Sequence, residues 1–363
     1  MIPHPKNHKL NQNLFRPSAI GEKSRDNNLL WLDKNENLDD KILQLCAQIL
    51  KEVNPRDVMT YPELGKLYEK IAGWVGVSPE CLTLASGSDG VIKILFETFV
   101  ERGDYIIHTA PTFAMYPVYS KIYGSEAHEI HYKFGSTGPA LNIEELIKKI
   151  NKNSPKLVCI PNPDSPTGSV LVPDELKMIL KSCESAGSIL LIDEAYHPFY
   201  DWSATSWVEE SHNLVVARTF SKAWGLAGLR IGYAVANKDI TLMLHKIRPM
   251  YEVSTVAAAV AYKMLDHIAD MNLSVNRIKA GKEYFLSEMS RYEFSTLPTN
   301  GNFVHINFGS NAPDIHEALK TVALYRIGFD HPSLRGYSRF TIAPQPIMER
   351  VVKVIQGVMK DRE

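Results

Sequence analysis

At 363 residues the chain is too long for one small core and suits two domains, or a large one with a smaller one attached. Forty basic residues nearly balance 41 acidic ones, with no polybasic block or long acidic tail, so nothing favours nucleic acid or a membrane surface as partner. Cys46, Cys81, Cys159 and Cys183 are too widely spaced for a CxxC zinc site or a disulfide framework, no stretch approaches the ~20 apolar residues that span a bilayer, and the N-terminus lacks an apolar signal core. The expectation is a cytoplasmic protein that works on small molecules and binds no metal.

In chain order, residues 1 to about 30 are polar, carry Pro3, Pro5 and Pro17, and read as an extended arm that docks elsewhere. WLDKNENLDD at 31–40 is the first ordered signal. A helix is predicted over 39–53, with Ile42, Leu43, Leu45, Cys46, Ile49 and Leu50 as its apolar stripe and Pro55 beyond its end. Tyr61, which precedes Pro62, is pushed out of the helical region and opens an extended segment.

From there to about residue 240 a short apolar strand, a loop and an amphipathic helix recur, the pattern of an α/β sheet with parallel strands. Strands are predicted at 81–85, 105–108, 157–160, 189–192, 214–217 and 231–235. Helices are predicted at 90–101, 143–151, 173–186 and 238–246, with longer ones at 254–267 and 271–291. Near Tyr292 the composition changes, and FSTLPTNGNFVHINF reads as strand-turn-strand, followed by a helix at 315–325, a strand at 338–342 and a closing helix at 347–360. The predicted division is an arm and part of a small domain over 1–50, a large domain over 51–270, and a small C-terminal domain over 271–363. The twelve histidines show no HExxH spacing and are read as structural.

Ligands of open α/β sheets bind outside the carboxyl ends of the strands, so the polar residues there are the candidates for chemistry. In TFSKAWGLAGLR, residues 219–230, Lys222 follows an apolar strand and is flanked by Phe220, Ala223, Trp224 and Leu226. Desolvation lowers an amine's pKa and prepares it as a Schiff-base nucleophile, while Arg230 suits a phosphate. A lysine snorkelling from a helix end reads equally well. SGSDG at 86–90 places Ser88 and Asp89 at a helix N-terminus, an anion site or an ordinary pair of caps. IPNPDSPTG at 160–168 is a turn-rich loop that could be a connection alone. ILLIDEAY at 189–196 ends an apolar strand on Asp193 and Glu194, carboxylates that are costly there unless paired, whether by a ligand, a salt bridge or a cap.

The order GSDG, PTF, PNPDSPTG, DEAY, SK and GLR resembles that of the fold-type I pyridoxal-phosphate enzymes, and most of all the histidinol-phosphate aminotransferase group of the class I/II aminotransferases. The resemblance runs from NEN at 35–37 to SRFT at 338–341. It implies a mostly parallel central sheet in a large cofactor-binding domain, and a smaller α+β domain built from the N- and C-terminal segments. It also implies a homodimer with a shared active site, pyridoxal 5'-phosphate as cofactor, and a small-molecule amino donor and keto acceptor. Lys222 would carry the cofactor, Asp193 would pair with its ring nitrogen, and Tyr196 with its phenolic oxygen. Ser88, Asp89, Thr219, Ser221 and Arg230 would hold the phosphate, with Tyr61 reaching it from the other subunit. Phe113 would stack on the ring, Ser165 stands where the group has the asparagine that touches the phenolic oxygen, and Asn162 and Asp164 are near it. Arg339 would grip the substrate carboxylate, with Arg326 and Asn37 also on the substrate and Arg335 a further cation. The group's NENPY reads NENLD here, and the tyrosine missing at Asp39 implies a pocket unlike that for an imidazole-bearing phosphate. Histidinol phosphate is therefore expected to be a poor substrate, glutamate the donor, and a small anionic keto compound the acceptor.

Two rivals stand beside transamination. One is decarboxylation of an amino-acid phosphate on the same fold. The other is a non-catalytic nucleotide-binding module, against which Gly225, Gly228 and Gly232 fail the GxGxxG spacing.

Overall fold

The structure is a computed structural model describing residues 24–135 and 137–360. Most of the expected N-terminal arm lies outside the described residues. The described chain begins with strand β1 (Leu30–Leu32) and helices α1 (Asp40–Lys51), α2 (Arg56–Met59) and α3 (Gly65–Val75). There follow β2 (Leu82–Ala85), α4 (Gly87–Phe99), β3 (Tyr105–Ala110), α5 (Met115–Tyr123), β4 (Glu126–His131), the short strands β5 (Lys133–Gly135) and β6 (Gly138–Ala140), and α6 (Ile143–Asn153). Next are β7 (Leu157–Pro161), α7 (Pro173–Ala186), β8 (Ile189–Asp193), β9 (Leu214–Thr219), β10 (Gly232–Ala236) and α8 (Lys238–Ile247). Helices α9 (Thr255–Met264) and α10 (Ile268–Ser290) lead into β11 (Ser295–Leu297), β12 (Phe303–Asn307), α11 (Ala312–Leu319), β13 (Ala323–Tyr325), β14 (Ser338–Thr341) and α12 (Gln345–Lys360).

The main sheet has the order β2-β10-β9-β8-β7-β3-β4. Its central strands β7, β8 and β9 are buried at every residue, which is why they read as unbroken apolar runs rather than alternating ones. The sheet is mostly parallel, as expected, with one correction: the strand predicted at 231–235 runs antiparallel to both neighbours, β9 and β2. The connection 220–231 loops out around Lys222 and re-enters at the same end of the sheet, so the chain reverses direction without the crossover that a parallel pair needs. Adjacent registers put Pro161 beside Asp193, and Asp193 beside Ala217, so three strand ends open onto one place.

A second sheet, β11-β12-β14, is antiparallel, with α10 and α12 packed together beside it. The helix predicted at 315–325 stops at Leu319, because residues 323–325 form β13 and pair in parallel with β1, joining the two ends of the described chain. The predicted helix at 254–267 is α9 capped by a 3-10 turn at Leu265–His267. The loop after β7 touches the β11–β12 turn closely. Gly168 has φ +78°, a Cβ there would sit 2.5 Å from the Thr299 side chain, and Asn300 N–H donates to the Gly168 carbonyl at 2.9 Å.

Candidate active site

A cavity of about 610 Å³ opens at the carboxyl ends of β3, β7, β8 and β9, closed on the far side by Arg339 of β14 and the segment 326–331. It brings together Ser88, Asp89, Phe113, Ser165, Asp193, Tyr196, Thr219, Ser221, Lys222, Arg230, Arg326 and Arg339. Residues as far apart in sequence as Asp33 and Arg339 meet here because the strand ends converge.

Lys222 stands on the loop after β9, and its Nζ donates to the Lys34 carbonyl at 2.9 Å. Burial lowers its pKa, against the pull of the Tyr196 phenol, and the guanidinium groups of Arg339 and Arg230 push the same way as burial. Asp193, the last residue of β8, is buried. Its Oδ2 accepts the Tyr116 hydroxyl at 3.0 Å and its Oδ1 accepts the Ala195 N–H at 3.0 Å. Burial pushes this carboxyl up to about 6, and the Tyr116 hydrogen bond pulls it back. The Tyr196 hydroxyl accepts from the Asn35 amide at 2.8 Å.

A polar corner forms where α4 begins. Gly87 has φ +77°, and a Cβ there would meet the Arg230 guanidinium at 2.7 Å, so the glycine lets arginine approach the helix N-terminus. Arg230 donates to Ser221 Oγ at 3.3 Å and to the Ser86 carbonyl at 3.2 Å, while the Thr219 hydroxyl donates to Ser221 Oγ at 2.9 Å. Asp89 accepts from the Tyr119 hydroxyl at 3.0 Å. Opposite lies Arg339, buried, with Nη2 on the Asp33 carbonyl at 2.9 Å and Nε without a hydrogen-bond partner. Arg326 faces the same cavity with its guanidinium 4.4 Å from the Phe329 ring.

Several expected positions lie elsewhere. Asn37 is not on the cavity wall: its amide binds the Ala223 carbonyl and Ser274 Oγ, and it is Asn35, turned by a φ of 55°, that lines the cavity. Neither Asn162 nor Asp164 faces the cavity beside Ser165. Asn162 ties down Leu171, and Asp164 is buried, accepting from the Thr167 N–H and hydroxyl. Arg335 is exposed and off the wall. Asp39 caps α1 through the Lys41 N–H and holds Arg277 at 2.6 Å, so the NENLD departure does not reach the cavity. Tyr61 is exposed and stacked on Tyr251 at 4.3 Å, beside a neighbouring depression that shares Arg230 with the main cavity.

The sequence reading missed Asn35, Tyr116, Phe329, Asp330 and His331. His331, read as structural, lies on the cavity wall. Tyr116 lies three residues after Phe113 and meets its ring edge-on, which is the only local pointer to it in PTFAMY. Among the described residues no group of three or more His, Cys, Asp or Glu is placed to hold a metal ion. No helix among them is long and apolar enough to cross a membrane.

The family model for aminotransferase class I and II matches residues 27–355. The histidinol-phosphate aminotransferase of Thermoanaerobacter pseudethanolicus is 34% identical over 316 residues, 86% of this chain and 88% of that protein. The crystal structure of histidinol-phosphate aminotransferase from Sinorhizobium meliloti in complex with pyridoxal-5'-phosphate superposes with a TM-score of 0.79 at 22% identity, covering 92% of each chain. The L-threonine-O-3-phosphate decarboxylase of Porphyromonas gingivalis gives 0.76 at 21% identity, covering 92% of this chain and all of that one. These two structures speak to the fold alone.

Proposed function

The chain belongs to the class I and II aminotransferases, and from that premise we propose that it uses pyridoxal 5'-phosphate to move an amino group from glutamate to a small anionic keto compound. The donor set suits that cofactor: a desolvated amine, a buried carboxylate and an arginine-lined helix N-terminus share one cavity. When bound, the cofactor supplies an electron sink for the charge left as a bond at the amine-bearing carbon breaks.

The chain's residues do the rest. Lys222 would hold the cofactor and would take and return the proton at the amine-bearing carbon, a role suited to an amine whose pKa burial has lowered. Asp193 would accept a ring N–H, and Tyr196, held by Asn35, would donate to the phenolic oxygen. Ser88, Asp89, Thr219, Ser221 and Arg230 would hold the phosphate, with Phe113 and Ser165 lining the space left for the ring. Arg339 grips the substrate carboxylate in the bidentate manner suited to guanidinium, and Arg326 takes a second anionic group.

The observation that carries this reading is the meeting of Lys222, Asp193 and Arg339 around a single cavity. Its test is borohydride reduction of the protein loaded with pyridoxal phosphate, followed by peptide mapping, with a panel of keto acids and phosphorylated ketones assayed against glutamate. Label on Lys222 and glutamate-dependent amino transfer are expected, and Lys222→Ala should lose both while staying folded. Label on another lysine, or release of carbon dioxide from an amino-acid phosphate without amino transfer, would overturn it. Histidinol phosphate belongs in the panel, because the Asp39 side chain serves α1 and Arg277 and does not line the cavity.

The pairing of β1 with β13 supports a small domain drawn from both ends of the chain, around a large domain over 51–270. Exposed Val58, Tyr61 and Tyr251, which share a depression with Arg230, support a homodimer in which Tyr61 reaches the partner's phosphate corner. The free cysteines are consistent with the cytoplasm.

A further inference from the structure

The Asp193 carboxylate lies at the floor of the cavity in surroundings that disfavour its charge. Cys159 of β7, Asp164 of the loop after β7, Asp89 of α4 and the adjacent Glu194 all act on it or are acted on by it, and each is neutral or anionic. Burial raises its pKa to about 6. Among the described residues the side chain that donates to it is Tyr116, the second residue of α5, fully buried and 3.0 Å away. Burial, together with the charge of Asp193, raises the Tyr116 phenol well above its ordinary pKa, so it remains a donor across the working pH range. Its ring also meets Phe113 edge-on, with centroids 6.2 Å apart and planes at 86°. One turn of chain therefore supplies both an aromatic on the cavity wall and the hydroxyl behind the carboxylate.

We propose that Tyr116 is a positioning residue: it touches neither substrate nor cofactor, and its hydroxyl keeps Asp193 ionised and oriented so that the carboxylate can hold a cationic ring N–H in the cavity. This rests on the reading of the cavity as a pyridoxal-phosphate site. A hydrogen bond to a charged acceptor in a buried setting is strong, and losing it raises the acceptor's pKa.

Tyr116→Phe keeps the ring and deletes the donor. The pyridoxal-phosphate dissociation constant, the visible absorbance of the bound cofactor and kcat/KM are measured from about pH 6 to about pH 9. The acid limb should move up by about one unit, so that the cofactor binds about five-fold more weakly at about pH 6 and about two-fold more weakly at about pH 7, and recovers toward wild-type affinity at about pH 9. Asp193→Asn should remove that limb, and adding Tyr116→Phe to it should change little further. As a second probe, 3-fluorotyrosine at position 116, a more acidic donor, should move the limb down. A Tyr116→Phe protein that matches wild type, or loses affinity equally at every pH, or adds its full effect to Asp193→Asn, overturns the proposal. If the wild-type protein takes up no pyridoxal phosphate on Lys222, the functional reading falls and this proposal with it. If it does, and Asp193→Asn alone weakens binding, only the role of Tyr116 has failed.

Discussion

Arg326 and Arg339 stand directly opposite each other, exchanging both backbone hydrogen bonds at 3.1 and 2.8 Å. Residues paired across strands in this way project to the same face, so two cations share one wall of the cavity. Burial lowers the Arg339 pKa and the charge of Arg326 lowers it further, and Arg339 Nε has no hydrogen-bond partner. An arrangement that is unfavourable on its own becomes favourable around an anion.

Removing one charge-assisted hydrogen bond to a substrate anion costs about 1.5 to 3 kcal/mol, so Arg326→Ala should lower kcat/KM for a dianionic acceptor by about ten- to a hundred-fold. It should affect a monocarboxylic acceptor far less. Arg339→Lys, which loses the bidentate fork, should impair every carboxylate substrate. Equal effects of Arg326→Ala on both acceptors would show that Arg326 does not read the second anion.

Mixing the inactive variants Tyr61→Phe and Lys222→Ala should restore part of the activity through hybrid dimers in which one site is intact. Subunit exchange is followed by mass spectrometry of tagged chains. Complete exchange without recovered activity would assign Tyr61 to its own subunit's surface.

Asp164→Asn should stabilise the protein at alkaline pH. Burial raises the Asp164 carboxyl from 3.8 to about 7, opposed by its Thr167 hydrogen bonds. A carboxyl whose folded-state pKa is raised contributes stability that is complete below its unfolded value and is lost as pH rises through the folded one. Thermal melts of variant and wild type should therefore nearly coincide at about pH 4, and differ at about pH 8 by on the order of a few kcal/mol in favour of the variant. A variant less stable at both pH values would mean that the Thr167 contacts need the carboxylate itself.

Asp39→Tyr should cost stability without redirecting specificity. It removes the α1 cap and leaves Arg277 unpaired, a loss of about 1 to 3 kcal/mol, while the cavity wall is untouched. A changed ranking of acceptors in the keto-acid panel would show that position 39 reaches the substrate after all.

Most of the cavity was legible because buried parallel strands announce themselves as apolar runs and their polar endings, Asp193 after ILLI and Ser221-Lys222 after LVVART, must then converge. What stayed hidden depended on distant partners. Residues 323–325 continue a helical pattern until β1, at the other end of the chain, claims them as a strand. The choice between Asn35 and Asn37 turns on a single left-handed residue, and two asparagines two positions apart carry no local sign of which one it is. Helix α5, with Pro117 inside it and Met115, Tyr116, Tyr119 and Tyr123 spread along its length, offers no clean period to read.

The contact between Gly168 and Thr299 has a bearing on how this scaffold can be altered. The loop that presents Ser165 to the cavity and the turn between β11 and β12 fit together with no room for a methyl group, and are tied by the Asn300 hydrogen bond. Two segments 130 positions apart thus behave as one inherited block. Grafting either from a relative without the other introduces a clash or a gap at the junction, so recombination of this chain succeeds only where the breakpoints carry both.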